Sequence, residues 1–319
     1  MNTRHLVDRE IAPIIDLFPR VDLDAAPIAQ IRARAAETYA ILPPPVIAPE
    51  KLVVPSIHGG PDIMVFLYRP ATTHPDGGAI LHIHGGGMVM GSVEQMQAGP
   101  AALAAAAGVP VVSVEYRLAP EHPFPAPQED CHSVLSWLAA QANAFGFNAN
   151  RIVVAGESAG GGLAAALAIM ARDLGGPEIA GQLLTYPMLD HRTGSETCPY
   201  NNPTTGEFIW TRASNQFGWA ALQGDYKADD ARRGWFSPSL AEDLSSLPPA
   251  YIATGSLDLF FDENLDYARR LVAAGVPVDL HSYAGAIHAF NAIPDAALSQ
   301  RFNGGLLAAA AAMAGPASN

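Results

Sequence analysis

An apolar run over 151–155 passes through Gly156-Glu157-Ser158-Ala159-Gly160 into a stretch of small residues over 161–170 with helical character. A chain that must go from strand to helix within five residues has to reverse sharply between them. Glycines two before and two after the serine leave room for a strained backbone that holds the hydroxyl above a sheet. Ser158 is therefore the candidate nucleophile. Taken alone, the five residues also fit a glycine-rich turn capped by a serine, so the rest of the chain has to decide.

Upstream, a strand-like segment over 79–83 runs into His84-Gly85-Gly86-Gly87. The run resembles the H-G-G-G loop with which α/β-hydrolase esterases build an oxyanion hole. A serine that attacks a carbonyl creates a negative oxygen, and backbone N–H groups without flanking side chains can approach it closely. Gly86, Gly87 and the amide of Ala159 are the expected donors. A phosphate cradle is the competing reading of the glycines, but the Gly-Lys-Ser/Thr ending of a P-loop and the spaced glycines of a dinucleotide fingerprint are both missing.

A serine needs a base, and the base needs an orienting acid; in α/β-hydrolases both follow the serine, acid first. The apolar run over 249–254 reads as a late strand, and Gly255-Ser-Leu-Asp258 follows at its carboxyl end, where open parallel sheets carry functional groups. Asp258 is the expected acid. Past a strand-like segment over 278–283, the loop Ala284-Gly-Ala-Ile-His288-Ala-Phe290 supplies the expected base, His288. The chain has 10 histidines, and position separates them. His82 falls inside a strand and should pack against the sheet, whereas His84 opens the glycine loop and should bond backbone. His5, His58, His74 and His122 lie in stretches that read as surface, and His281 lies within a strand rather than beyond it. Asp262 and Glu263 compete with Asp258, but both open a helical stretch over 262–271, where acids favour the positive end of the dipole.

With these motifs the chain resembles the hormone-sensitive-lipase-like α/β-hydrolases, in their bacterial carboxylesterase branch. The match includes Tyr116-Arg-Leu-Ala-Pro-Glu-His-Pro-Phe-Pro-Ala126, Tyr186-Pro-Met-Leu-Asp190, Ser237-Pro238, Leu257-Asp-Leu-Phe-Phe-Asp-Glu263 and His288-Ala-Phe290, and spans roughly residues 50–290. Glu157 stands where much of the family has aspartate. The resemblance implies a serine carboxylesterase acting through an acyl-enzyme on short- to medium-chain esters, with neither metal nor cofactor, and homodimers are common in the family. Two other activities stay open. An amide-bond hydrolase of the arylformamidase kind carries a related H-G-G loop. Some plant hormone receptors resemble the family but lack the catalytic histidine, and His288 stands against that reading.

An opening hairpin, with strands over 51–57 and 63–68 around 58–62, precedes alternating strands (79–83, 110–116, 151–155, 182–186, 250–254, 278–283) and helices (98–107, 128–142, and a last one over 304–315). Alternation of this kind predicts an α/β fold, a mostly parallel sheet covered on both faces, in a single 319-residue domain. Two segments break it: residues 1–45, which look helical and end at Leu42-Pro-Pro-Pro45, and residues 190–235. By resemblance these form a helical cap over a catalytic core of 46–189 and 236–319. Phe208, Ile209, Trp210, Phe217, Trp219 and Leu222 sit near helical spacing and read as cap core or as direct contacts of an acyl chain, whereas Met88 and Val89, just past the glycines, are the better candidates for a substrate-pocket wall.

Composition bounds the partners. A net charge of -13 argues against nucleic acid and anionic membrane surfaces. No apolar run reaches the ~20 residues of a membrane span. The opening residues carry scattered charge without a signal-peptide core, and two cysteines without metal-ligand spacing read as reduced thiols, so a cytoplasmic setting is expected.

Overall fold

The computed structural model describes residues 2–17, 23, 27–40, 44–73 and 76–316. Its centre is an eight-stranded sheet in the order β1-β2-β4-β3-β5-β6-β7-β8. The strands are β1 (Glu50–Val54), β2 (Ile63–Tyr68), β3 (Ala79–Ile83), β4 (Val111–Val114), β5 (Ile152–Glu157), β6 (Gly181–Thr185), β7 (Ala250–Gly255) and β8 (Val278–Tyr283). β2 runs antiparallel to both neighbours, and every other pairing is parallel. The helices are α1 (Ile14–Leu17), α2 (Ile28–Tyr39), α3 (Ala98–Ala107), α4 (Ala126–Ala140), α5 (Ala142–Phe145), α6 (Ala159–Leu174), α7 (Arg212–Gln223), α8 (Arg233–Phe236), α9 (Phe261–Ala273) and α10 (Ala297–Ala314).

The central strands β3, β4, β6 and β7 are buried on every residue because both of their faces are covered. Alternate side chains go to opposite cores. Ile152 and Val154 of β5, with Ile252 of β7, join α4, α6 and α9 on one face. Val153 and Ala155, with Tyr251 and Ala253, join α3 and α10 on the other. The chain leaves β3 toward β4 by way of α3 and returns past β3 to β5 by way of α4, so successive crossovers lie on opposite faces. That places a topological switch point between the carboxyl ends of β3 and β5, where open α/β sheets open a crevice.

Element ends depart from the sequence reading for local reasons. β1 stops at Val54 because Pro55 has no N–H to continue the ladder. β6 stops at Thr185 because Tyr186 turns to a φ of 33°. The last helix begins at Ala297, not near 304, because burial of Leu298 and Phe302 against the sheet outweighs the poor helix propensity of Gly304 and Gly305. In the 190–235 segment α7 begins only at Arg212, with the Thr211 side chain accepting from Ser214 N–H. Phe208, Ile209 and Trp210 therefore precede the helix rather than lie on it, and Ile209 has a φ of 62°. Trp210, Trp219 and Leu222 are buried, whereas Phe208, Ile209 and Phe217 are half-buried.

Residues 1–40 supply α1 and α2, and the two segments outside the alternation meet core and each other. Thr3 donates from N–H and Oγ1 to Glu207 at 2.7 and 2.6 Å. Arg32 of α2 donates to Val89 O at 2.8 Å and Ala119 O at 3.0 Å, and forks onto Glu121. Leu42, Pro43 and His74 of the sequence reading lie outside the described residues.

Candidate active site

Ser158 stands between β5 and α6 with φ 57° and ψ −119°, a conformation that side-chain-bearing residues rarely adopt. Ser158 N–H donates to Thr185 O at 2.9 Å, and Ser158 O accepts from Met188 N–H at 2.9 Å, so β6 holds the elbow from one side. On the other side lies the end of β3. A Cβ at Gly160 would overlap Ile83 O, so only glycine lets the helix start this close to the neighbouring strand.

The acid and the base reach the serine because their loops are stitched together. Ser256 N–H donates to Tyr283 O and Leu257 N–H to Ala286 O, both at 2.9 Å. Gly285 N–H donates to Ser256 Oγ at 2.9 Å. From this frame His288 Nδ1 lies 2.8 Å from Asp258 Oδ2, and His288 Nε2 lies 3.0 Å from Ser158 Oγ. Asp258 Oδ1 accepts from Phe260 N–H at 2.9 Å, which fixes the carboxylate plane. All three side chains are buried, Asp258 the most deeply at 1 % exposure against 7 % for Ser158 and 6 % for His288. Edge-on contacts from Tyr186 at 4.8 Å and Phe260 at 5.3 Å hold the imidazole, and Tyr186 Oη donates to Asn291 Oδ1. Both rings lie in blocks that carry the family resemblance, but their place beside the imidazole had no signal, since apolar residues near a strand end look like core.

The glycine loop after β3 lies against the same elbow: a Cβ at Gly85 would sit 2.9 Å from Glu157 O and 3.5 Å from Ser158 Cβ. Gly86 O accepts from Val89 and Met90 N–H, curling the loop over the switch point. Gly86 and Gly87 follow Gly85 in this loop, Ala159 opens α6 beside Ser158, and Met88 and Val89 are buried with Ala159 among Met188, Trp210, Trp219 and Phe260.

The other histidines sort by partner. His82 is buried, with Nδ1 at 2.8 Å from Ser113 Oγ and Nε2 at 3.0 Å from Glu157 Oε1, so the longer acid at 157 serves as the anchor of a strand histidine. His84 donates from Nδ1 to Gly85 O at 2.8 Å and stacks on Tyr116. Burial pushes its pKa down to about 4, so it is neutral. His58 is half-buried rather than on the surface: its Nε2 meets His132 Nδ1 at 3.0 Å. Glu263 also departs from expectation. It is 1 % exposed and accepts from Leu189 N–H and from Thr193 Oγ1, and burial with Asp190 nearby pushes its carboxyl well above the usual range. Its position in the first turn of α9 made a helix-dipole role plausible, but it is an internal tie between α9 and the segment after β6.

Among the described residues no three His, Cys, Asp or Glu side chains are grouped to hold a metal ion, and no helix is long and apolar enough to cross a membrane.

A family model described as alpha/beta hydrolase fold matches residues 80–292. The chain belongs to this family, in its hormone-sensitive-lipase-like branch. It is 36% identical over 295 residues to Esterase LipI of Mycobacterium tuberculosis, covering 89% of this chain and 88% of that protein. It is 34% identical over 288 residues to Carboxylesterase NlhH of the same species, with the same coverage of 89% and 88%. The solved structure of a bacterial heroin esterase superposes with a TM-score of 0.89 at 34% identity, covering 98% of this chain and 99% of that one.

Proposed function

We propose that this protein is a serine carboxylesterase that hydrolyses short- to medium-chain carboxylic esters through an acyl-enzyme, with Ser158, His288 and Asp258 as its triad. The reading rests on one observation above all: an unbroken chain from Asp258 Oδ2 through the imidazole to Ser158 Oγ, at 2.8 and 3.0 Å, ending on a serine held at positive φ. The esterase names of the relatives support it.

In the first half-reaction His288 Nε2 takes the Ser158 proton as Oγ bonds to the ester carbon. Asp258 keeps the Nδ1–H tautomer and stabilises the imidazolium. The carbonyl oxygen becomes an oxyanion held by the N–H groups of Gly86, Gly87 and Ala159, each worth about 10²–10³ in rate. Collapse breaks the bond to the alkoxide, which leaves with the His288 proton. Water then enters, gives a proton to His288 and its oxygen to the acyl carbon, and Ser158 leaves with that proton as the acid departs. Met88 and Val89 form the pocket wall.

The segments 1–45 and 190–235 act as a cap on a core of 46–189 and 236–319. The Thr3–Glu207 and Arg32–Val89 bonds support that division. Two unpaired thiols, Cys131 and Cys198, support a reducing cytoplasmic setting. β8 is one of the two edge strands of the sheet and exposes Leu280, which supports a homodimer.

The test is the initial rate on p-nitrophenyl esters of rising acyl length, wild type beside Ser158→Ala, with matched anilides. Serine-dependent ester turnover that falls beyond medium chains is expected. Faster anilide than ester turnover moves the assignment to an amidase, and wild-type rates in Ser158→Ala remove it.

A further inference from the structure

Nucleophile and base come from distant parts of the chain, and residues 185 and 186 touch both. Thr185 O, at the end of β6, accepts from Ser158 N–H at 2.9 Å and so holds the peptide of the nucleophile. The next residue, Tyr186, turns to a φ of 33° while its own N–H donates to Ala253 O of β7 at 2.6 Å. A left-handed φ is costly for a residue with a side chain, so the sheet around Tyr186 holds it there against its preference. The turn delivers its ring to the base: the ring centre lies 4.8 Å from that of His288, at an interplanar angle of 62°.

The bonds among residues 255–257 and 283–286 join the acid loop to the base loop, but they join these two to each other and not to the nucleophile. Among the described residues the peptide of His288 itself makes no backbone hydrogen bond. Beyond it the chain bends at Ala289, with φ 57°, into a short 3-10 turn over Phe290–Ala292. From that turn Asn291 Oδ1 accepts from Tyr186 Oη at 2.8 Å. Burial, with Glu157 and Asp258 nearby, pushes the phenol well above its ordinary pKa, so the hydroxyl stays a donor at neutral pH. Ser299 Oγ also donates to Phe290 O, at 3.1 Å, but that bond ties the turn to α10 rather than to the strand that holds the serine. Tyr186 thus meets the base loop twice, ring against imidazole and hydroxyl against the side chain three residues on.

We propose that Tyr186, through Asn291, is the positioning residue of the base: with Thr185 holding the nucleophile's peptide, it sets the reach from His288 Nε2 to Ser158 Oγ. The proposal rests on the esterase reading above. One imidazole takes the Ser158 proton, returns it to the alkoxide and then activates water, so its position bears on both half-reactions alike. Loss of the tether therefore slows acylation and deacylation together. KM, which depends on substrate affinity and on the ratio of the two steps, stays near wild type.

The experiment compares wild type with Tyr186→Phe, Asn291→Ala and the double variant in two readouts. Tyr186→Phe keeps the ring against His288, Phe290 and Phe302 and removes only the donor. The first readout is kcat and KM on p-nitrophenyl butyrate, with kcat expressed per folded molecule. Misplacing a reacting group by about 1 Å costs about 10²-fold, so each single variant should lose about 10- to 100-fold in kcat with KM within about twofold. The double variant should fall no further than the single ones, because all three remove the same bond. The second readout is the downfield proton resonance of His288 Nδ1–H, which faces Asp258 Oδ2 and should broaden or shift in both single variants. Wild-type kcat in both single variants overturns the proposal, as do losses that multiply in the double variant or that fall on KM alone. A resonance unchanged by either substitution overturns it as well. Asn291 is half-buried, so its truncation carries the test if Tyr186→Phe does not fold. Absence of Ser158-dependent turnover in wild type sinks the esterase reading instead, and the resonance then decides whether Tyr186 positions the imidazole.

Discussion

Ser158 is held at φ 57° and ψ −119°, and that strain should be measurable apart from its chemistry. A residue in so sparsely populated a conformation carries roughly 1–3 kcal/mol. Replacing the serine by alanine removes the hydroxyl and its 3.0 Å bond to His288 but keeps a Cβ, and so keeps the strain. Replacing it by glycine removes the same bond and relieves the strain. Glycine also has a more flexible unfolded chain, a loss of about 0.5–1 kcal/mol. The difference between the variants thus cancels the hydrogen bond and leaves about 1 kcal/mol in favour of Ser158→Gly. For a chain of this size that corresponds to roughly 2 °C in Tm. Calorimetric melting of both purified variants at pH 7.5 is the assay, with p-nitrophenyl butyrate hydrolysis alongside. Both should lose activity by about 10⁶-fold in kcat. A Ser158→Gly variant that melts at or below Ser158→Ala would refute the idea that the fold stores strain at the nucleophile.

Asp258→Asn should lower kcat by about 10⁴-fold with KM little changed, because an amide N–H facing His288 Nδ1 favours the wrong tautomer; activity within tenfold of wild type would contradict the assigned acid. Stability should depend on pH through His84, whose folded pKa near 4 lies below its ordinary 6.5. Above pH 6.5 neither state binds the proton. As pH falls from 6.5 toward 4 the unfolded chain takes it up and the folded one does not, so stability declines by up to about 3 kcal/mol. Urea unfolding of wild type against His84→Asn, which retains a donor for Gly85 O, should show a slope that is shallower in the variant by that amount, the remainder coming from buried His132 and His191. Arg32→Gln should lower stability by about 1–2 kcal/mol and kcat/KM several-fold, since it loses the fork on Glu121 and the bonds to Val89 and Ala119 carbonyls next to the glycine loop; unchanged melting and kinetics would show that α2 does not steady that loop.

The parts of the site that were legible in the sequence are those where local chemistry forces the residue type. A strand that turns into a helix over a strained serine requires glycines on both sides, and the amino acids record that need at 156 and 160. The order of serine, acid and histidine follows strands whose apolar runs are readable because both faces of the sheet are covered. Glu263 was not legible, since an acid in the first turn of a helix normally faces solvent. Its burial follows from the path of residues 189–193, which deliver Leu189 N–H and Thr193 Oγ1 to it from far away in sequence. His58 and His132 are likewise 74 residues apart and meet because the β1–β2 hairpin folds onto α4.

The inserted segment shows why the limit falls where it does. Apolar spacing over 208–222 made one helix of what is a turn followed by a helix, because periodicity reports which residues are apolar and not where φ changes sign. Trp210 and Trp219 look equivalent to any such count. In the fold they differ: Trp219 packs on Phe236 and His191, whereas Trp210 descends onto Gly87. What distinguishes them is a pair of missing side chains, at 87 in the glycine loop and at 218 on α7, whose vacated space only one indole can enter. Complementarity between an absence in one element and a bulk in another has no signature along the chain. A mutation that fills either absence should therefore disturb ester turnover more than its small change in volume suggests, because it displaces Trp210 from its seat on the glycine loop.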